Sequence, residues 1–208
     1  HVAVFRGLAE LAGLSTEQEQ LLFDILQRKA STELQLFVTQ YVKDDAASRL
    51  LLNLPLWKGD RSVLHQAQTT LANAPTVVQE AIARLQQLAD IISQRHPSVT
   101  LYFDLAELRG YHYHTGAVFA LYVAGCGEAI ANGGRYDEFG AAFGRARAAS
   151  GFSADLKHLM NLGVSDSHET NAVWAELDGS AAQWQAITKL RAQGECVIAG
   201  VKGEQCHD

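Results

Sequence analysis

The chain has 208 residues, of which 48% are hydrophobic and 19% are charged. This composition excludes an intrinsically disordered protein and provides enough apolar residues for one large domain. The apolar runs are far shorter than the ~20 residues that a membrane span needs. The net charge of −6 argues against nucleic-acid binding through a broad basic surface, although it leaves room for a local basic patch.

The cysteines and the opening residues further restrict the class of protein. Cys126, Cys196 and Cys206 are too few and too scattered for a disulfide scaffold, and they show no zinc-type spacing. We therefore expect free thiols in a reducing cytoplasm, with no metal and no cofactor. Residues 1–5 lack the pattern of a signal peptide. They are predicted to be part of a strand that begins in a missing N-terminal portion.

Residues 15–96 carry the punctuation of short helices. Ser15 and Gln18 form a capping-box pattern directly before an apolar stripe, which predicts a helix start. Thr32 and Gln35 repeat that spacing before the next stripe. The sequence therefore predicts two successive helices, each opened by a side-chain cap.

Three prolines divide the rest of the helical region. Pro55 is expected to interrupt the helix that contains the apolar run at 50–52. After Pro75, apolar residues recur every three or four positions until Pro97, which predicts one long helix with a buried face and a Gln-rich exposed face.

The hydrophobic period changes from 3.6 to about 2 after Pro97. Residues 99–103 and 117–123 are predicted to be strands. Gly125 and Gly127 are predicted to form a turn into 128–132, an arrangement that favours an antiparallel hairpin. The fold class predicted is α+β, with a mostly antiparallel sheet flanked by helices.

The C-terminal part is predicted to contain a helix over 153–161 and a polar linker over 165–169. A boundary near 165 would divide the chain into domains 1–163 and 164–208, the first carrying the helical insertion at about 15–96. The tail is predicted to form a small β-α-β segment: strand 172–177, helix 180–193 and strand 196–201.

Two neighbouring motifs carry the functional information. Residues 109–116 read Arg-Gly-Tyr-His-Tyr-His-Thr-Gly, and residues 133–137 read Gly-Gly-Arg-Tyr-Asp. A guanidinium can pair a carboxylate bidentately while phenols and imidazoles bond a polar side chain, and paired glycines let a ligand approach the backbone. The motifs therefore predict a pocket for a small zwitterion, with these candidate ligand-binding residues: Arg109, Tyr111, His112, Tyr113, His114, Gly133, Gly134, Arg135 and Tyr136.

Structural interpretations compete for several of these residues. Arg109 could be an ion-paired surface residue beside Glu107, and Arg135 could pair with Asp137 and pin the hairpin. In a strand, His112 and His114 would share one face and Tyr111 and Tyr113 the other. The histidine pair could suggest a metal site, but no third ligand is adjacent in sequence, so a polar pocket lining is the favoured interpretation.

Together the two motifs resemble the histidyl-tRNA synthetase core, which carries Arg-Gly-Leu-Asp-Tyr-Tyr-Thr-Gly and Gly-Gly-Arg-Tyr-Asp. The chain departs from the first motif at Tyr111, His112 and His114, which stand at the Leu, Asp and second Tyr positions. The resemblance implies a class II aminoacyl-tRNA synthetase-like core over about 1–163, with 99–163 as the specific part.

A second departure concerns the synthetase helix whose Arg binds the ATP phosphates. The matching segment here begins at Gly151 and Phe152, and His158 occupies the Arg position. A neutral imidazole cannot replace a permanently charged guanidinium at a triphosphate, so adenylate formation is expected to fail.

The chain is therefore more similar to the regulatory subunits of ATP phosphoribosyltransferase, a synthetase-like family; the residues closest to that family are 103–116 and 132–137. The resemblance implies a chain without a reaction of its own that assembles with the short-form catalytic subunit, self-associates as a dimer and confers feedback inhibition by L-histidine. Histidine could occupy the synthetase-like pocket or the subunit contact. Two alternatives stay open: a true histidyl-tRNA synthetase, and a synthetase-like tRNA-binding or kinase-regulatory module.

Overall fold

The computed structural model describes residues 1–137, 144–162 and 172–200. Helices occupy most of the first 95 residues, and a 3₁₀ turn at Leu54–Leu56 follows the fourth helix. The helices are α1 (Val2–Leu11), α2 (Thr16–Gln27), α3 (Ser31–Tyr41), α4 (Asp45–Asn53), α5 (Ser62–Thr70) and α6 (Thr76–Arg95).

The opening of the chain is a helix, so the prediction of a strand over residues 1–5 is wrong. His1 caps α1, because its Nδ1 accepts a hydrogen bond from the Ala3 N–H at 3.3 Å. Phe5 and Leu8 are fully buried three residues apart, which is the helical period. The period emerges only beyond the first five residues, and a short apolar run alone does not distinguish a strand from a buried helix.

The helix starts follow the sequence prediction in one case and depart from it in the other. The capping box of Ser15 and Gln18 is present in both directions, as predicted. The next helix, α3, begins after Ala30 without a side-chain cap, so the cap predicted at Thr32 is wrong. Lys29 adopts a left-handed conformation (φ 53°), and this tight turn sets the start of α3.

The long helix and the proline break are confirmed. The helix α6 ends just before His96, and its buried stripe faces α1. Gly7 of α1 lies against Val78 of α6, where an added Cβ would come within 2.4 Å of Val78 Cγ2. The missing side chain therefore allows the two helices to pack closely. Pro55 lies in the 3₁₀ turn that ends α4.

The strands form two antiparallel sheets in the central part of the chain. β1 (Lys58–Gly59) pairs with β2 (Phe103–Asp104), so only the last residue of the predicted strand 99–103 is extended in a ladder. The pairing is limited to two residues on each strand. The larger sheet has the order β3 (Val118–Leu121), β4 (Ala131–Arg135) and β5 (Ser150–Ala154).

The predicted antiparallel hairpin is thus confirmed, but its second strand, β4, begins at Ala131 and not at residue 128, and it is the central strand of the sheet. Gly133 and Gly134 lie inside this strand, where their lack of side chains permits close approach of other groups. The helix predicted over 153–161 is shorter than expected, because β5 continues to Ala154. Asp155 caps the helix α7 (Leu156–Asn161) by accepting from the backbone N–H groups of the next turn.

The predicted β-α-β segment is confirmed in the C-terminal part. β6 (Val173–Glu176) and β7 (Val197–Gly200) are parallel and are connected by α8 (Ala181–Ala192). Trp184 fixes this segment to α6, since its indole Nε1 donates to the Arg95 carbonyl at 3.1 Å. The linker predicted at 165–169 and the boundary near 165 lie outside the described residues.

The main core fills the helical region and extends into the first motif. Leu105, Leu108 and Tyr111 are buried in the same cluster as the helix side chains. The motif loop is therefore anchored on the helices at its N-terminal end. Among the helices of the described ranges, none is long and apolar enough to cross a membrane.

Candidate functional site

The first motif is a series of turns and not a strand. The Tyr111 N–H donates to Leu108 O at 2.9 Å, and the His114 N–H donates to Gly110 O at 2.8 Å. Gly110 has φ +69°, a conformation that glycine adopts without strain. Because the chain turns here, the predictions that His112 and His114 share a strand face, and that Tyr111 and Tyr113 point the same way, are wrong.

Tyr111 lies on the helical side of the motif. Its ring makes an edge contact with Phe5 at a centroid distance of 5.0 Å, and its hydroxyl donates to the Glu19 carboxylate. The Arg6 guanidinium stacks 4.9 Å from the ring centroid and donates to Tyr111 O at 3.0 Å. Tyr111 is therefore a buried residue that joins the motif to α1 and α2.

His112 also lies on this side. Its exposed ring is 5.4 Å from Phe23 and 5.3 Å from Tyr111, centroid to centroid. Two of the nine candidate residues are thus placed towards the helices.

His114 is buried in a slot between two glycines. Its Nδ1 lies 3.1 Å from Gly110 O. A Cβ on Gly110 would come within 2.4 Å of the same Nδ1, and one on Gly134 within 2.6 Å of Cδ2. The imidazole therefore fits only because both positions lack a side chain, and it places the motif loop directly on β4.

Tyr113 and Tyr136 form a second pair on the same face of the sheet. Their rings stack with a centroid distance of 4.9 Å and an interplanar angle of 23°. The Tyr136 hydroxyl lies over Gly151, where a Cβ would meet it at 2.2 Å, and Gly151 pairs with Gly134 in the ladder. Tyr113 is exposed, but local desolvation, together with the neighbouring Tyr136 hydroxyl, raises its pKa above the ordinary value of a phenol.

Arg135 is held by Asp137, the ion pair that the structural interpretation of the motif predicted. Its Nε donates to Asp137 Oδ1 at 2.5 Å, while Thr115 Oγ1 donates to Asp137 Oδ2 at 3.2 Å. The Asp137 N–H donates back to Thr115 Oγ1 at 3.0 Å, and the Ala149 N–H donates to Asp137. Burial acts to raise the pKa of Asp137, but the bonds from Arg135, Ala149 and Thr115 lower it below its ordinary value.

Arg109 lies beside the glycine slot. Its exposed guanidinium is 4.0 Å from Glu107, and its backbone N–H donates to Glu107 Oε1 at 2.9 Å. Arg109 lines a cleft of about 360 Å³ that Asn132 of β4 also lines. Asn132 and Gly134 are two residues apart on one strand and so face the same side of the sheet.

The structure therefore brings part of the predicted set together. One face of β4 gathers Tyr113, His114, Gly134 and Tyr136, with Arg109 at the edge of the same face. Gly133 faces the other side, beside Phe119 and Phe152 in the ladder.

Sequence reasoning missed residues far from the motifs. Arg6 and Glu19 bind the motif loop from the helices, and Glu128 lines the cleft of Arg109. These residues carry no motif of their own, and only the tertiary fold shows their proximity. Within the described residues, no group of three His, Cys, Asp or Glu side chains could hold a metal ion.

Comparison with known proteins connects this geometry to a family. The family model described as histidyl-tRNA synthetase matches residues 1–159. The model of the ATP phosphoribosyltransferase subunit HisZ C-terminal domain matches residues 170–208.

Curated relatives named ATP phosphoribosyltransferase regulatory subunit are similar over almost the whole chain. The relative from Teredinibacter turnerae is 48% identical over 202 residues, which are 97% of this chain and 51% of the relative. The relative from Stutzerimonas stutzeri is 48% identical over 205 residues, with 98% and 51% covered. The chain thus spans about half the length of the curated relatives that it matches.

Solved structures share the fold. A Bacillus halodurans chain titled ATP phosphoribosyltransferase regulatory subunit/histidyl-tRNA synthetase matches with a TM-score of 0.68 and 23% identity, covering 100% of this chain and 54% of that one. A histidyl-tRNA synthetase from Nostoc sp. matches with a TM-score of 0.61 and 19% identity, covering 98% and 52%. The predicted class II synthetase-like α+β fold is confirmed.

We predict that Gly134→Ala destabilises the protein by about 1–3 kcal/mol, because the added methyl group overpacks the slot. The new Cβ would lie 2.6 Å from His114 Cδ2 and 2.7 Å from the Ala117 carbonyl oxygen. Urea unfolding measures the change. Gly127→Ala is the control, since nothing lies within 4 Å of a Cβ there, and equal stability of the two variants would contradict the slot.

We predict that Asp137→Asn destabilises the protein at pH 7 and that this effect becomes smaller as the pH falls below 3.8. The pKa of Asp137 in the folded protein lies below its ordinary value of 3.8. Its carboxylate therefore stabilises the fold above that value, and this contribution is lost as the pH falls through the folded pKa. Unfolding of both proteins across pH 3–7 measures the difference; Glu80→Gln on α6 is the control. A difference that does not change with pH would contradict the role of Asp137.

Proposed function

We propose that this chain, which belongs to the histidyl-tRNA synthetase family over residues 1–159 and is similar to curated ATP phosphoribosyltransferase regulatory subunits, acts as the non-catalytic regulatory part of that enzyme. The observation that carries the proposal is the 48% identity over 97% of the chain to a curated regulatory subunit. In this role the protein is required for the first step of histidine biosynthesis and for its feedback regulation by histidine. It works in the cytoplasm and catalyses no step itself.

Its partner in this proposal is the short-form catalytic subunit of ATP phosphoribosyltransferase, and the regulatory chains also self-associate as a dimer. The regulatory effect is a coupling free energy between the effector site and the catalytic site, and not a chemical step on this chain.

The effector in this proposal is L-histidine, bound on the face of β4 described above. Support comes from the polar groups gathered there: the His114 imidazole and the Tyr113 and Tyr136 phenols can bond an imidazole side chain. The buried glycine slot positions these groups before a ligand arrives, which reduces the entropy lost on binding. The guanidinium of Arg109, at the edge of the same face, supplies the group for a carboxylate.

A second candidate is histidine activation and tRNA charging, which the match of residues 1–159 to the histidyl-tRNA synthetase model favours. His158 weighs against it. A residue with a permanent positive charge is the group suited to ATP phosphates at this position, and His158 lies 3.9 Å from the carboxylate of Asp155. An ATP–pyrophosphate exchange assay with histidine distinguishes the two functions, because only the synthetase would turn over.

We predict that the full-length gene product raises the phosphoribosyltransferase activity of the purified short catalytic subunit on mixing. The rate of formation of the phosphoribosyl-ATP product measures the effect, and heat-denatured protein at the same concentration is the control. Co-purification of the two chains should accompany the activation. No rate increase at stoichiometric mixing would refute the proposed function.

We also predict that Arg109→Ala weakens L-histidine binding to the complex by on the order of 1.5 to 3 kcal/mol, the value of a charge-assisted hydrogen bond. Calorimetric titration with histidine measures the loss. Arg84→Ala removes a guanidinium from the exposed face of α6 and is the matched control. Unchanged histidine binding by the Arg109 variant would place the effector elsewhere, such as at the contact between subunits.

A further inference from the structure

The cleft beside the glycine slot carries opposite charges. Its lining includes Arg109 and Glu128, together with Asn132 of β4 and Tyr122, which directly follows β3. Glu128 lies in the connection between β3 and β4 and is exposed. A cation and an anion on one cleft of about 360 Å³ match the two charges of an α-amino acid.

The cleft is also in line with the aromatic part of the site. Residues two apart on a strand face the same side and are separated by roughly 7 Å along it. Asn132 therefore lies one such step from Gly134, where the His114 ring is seated. A ligand whose polar side chain extends towards His114 would therefore have its α-carbon near Asn132, which lines the cleft together with Arg109 and Glu128.

The existing contact of Arg109 leaves the guanidinium available for a ligand. Its distance to Glu107 is 4.0 Å, and both side chains are substantially exposed, at 53% and 38%. An exposed ion pair at this distance contributes little stability, so a bidentate carboxylate can replace it at small cost.

Glu128 also determines which ligands the cleft excludes. Its carboxylate repels a phosphate or a second carboxylate on that side of the cleft, while it accepts hydrogen bonds from an ammonium group. The pair of charges thus favours a free amino acid over a nucleotide or a dicarboxylate.

We propose that Glu128, assisted by the Asn132 side-chain amide oxygen, binds the ammonium group of the amino acid whose carboxylate pairs with Arg109. This assignment rests on the proposed function, because it takes the effector to be L-histidine bound on this face of β4. It makes Glu128 a specificity-determining residue for the free α-amino group.

The test compares ligands that lack one charged group with variants that lack its partner. Full-length gene product assembled with the catalytic subunit is titrated with L-histidine, with imidazolepropionic acid, which lacks the amine, and with histidinol, which lacks the carboxylate. The wild type is expected to bind imidazolepropionic acid about ten- to a hundredfold more weakly than L-histidine, as the loss of a charge-assisted hydrogen bond predicts.

Glu128→Gln should abolish that preference. The affinity of the variant for L-histidine should fall to about its affinity for imidazolepropionic acid, while the preference for L-histidine over histidinol is retained. A role in folding alone would lower the affinity for all three ligands by the same factor. Glu80→Gln, an exposed carboxylate on α6, is the control and should keep both preferences.

The outcomes separate this inference from the proposed function. If the wild type binds L-histidine and Glu128→Gln keeps the full preference over imidazolepropionic acid, the role of Glu128 is refuted and the proposed function stands. If the wild-type complex binds no L-histidine, the proposed effector and this inference both fall. Activation of the catalytic subunit, measured in the same preparations, reports the regulatory function independently.

Discussion

The seating of the His114 imidazole between Gly110 and Gly134 is the contact on which the rest of the site depends. It is the point where the turns of the first motif meet the central strand of the sheet. Neither glycine can accept a side chain without displacing the ring. Because interiors are closely packed, one added methyl group at either position forces the ring or the strand to shift.

Separate contacts fix the motif on both sides of this ring. On the helical side, Arg6 donates to the carbonyls of Tyr111 and His114 at 3.0 and 3.4 Å. On the sheet side, Thr115 and Asp137 exchange hydrogen bonds, and the Thr115 N–H donates to Arg135 O at 2.8 Å. The motif loop is thus a bridge between the helical core and the sheet, and a ligand on it could influence both.

The same division explains where the chain departs from the synthetase motif. Two of the three substituted positions, Tyr111 and His112, lie against the helices. Only His114 lies among the residues gathered on β4. Two of the three substitutions therefore lie on the side of the helices, away from the face where a ligand is proposed to bind.

Local rules predicted the parts of the fold that local physics determines. The capping box at Ser15 and the long helix α6 follow from hydrogen bonding and apolar period within one segment, and the hairpin follows from alternating strands around a glycine turn. The prediction of a strand at residues 1–5 failed because the burial of these residues depends on the packing of α1 against α6. The opposite directions of Tyr111 and Tyr113 depend on a turn at Gly110 that residue alternation does not reveal.

The candidate site was predictable in composition but not in arrangement. Motif residues such as His114 and Tyr136 could be named from sequence, since their chemistry is local. Their grouping on one face, and the addition of Glu128 from a connecting segment, depend on the register of β4 with its neighbours. Register is a property of the assembled sheet.

The most direct test of the account is a crystal structure of the full-length gene product, assembled with the catalytic subunit, in the presence of L-histidine. Electron density for histidine is expected over Asn132 and Gly134, between Arg109 and Tyr136. Density on the opposite face, beside Phe119 and Phe152, or only at the contact between subunits, would contradict it.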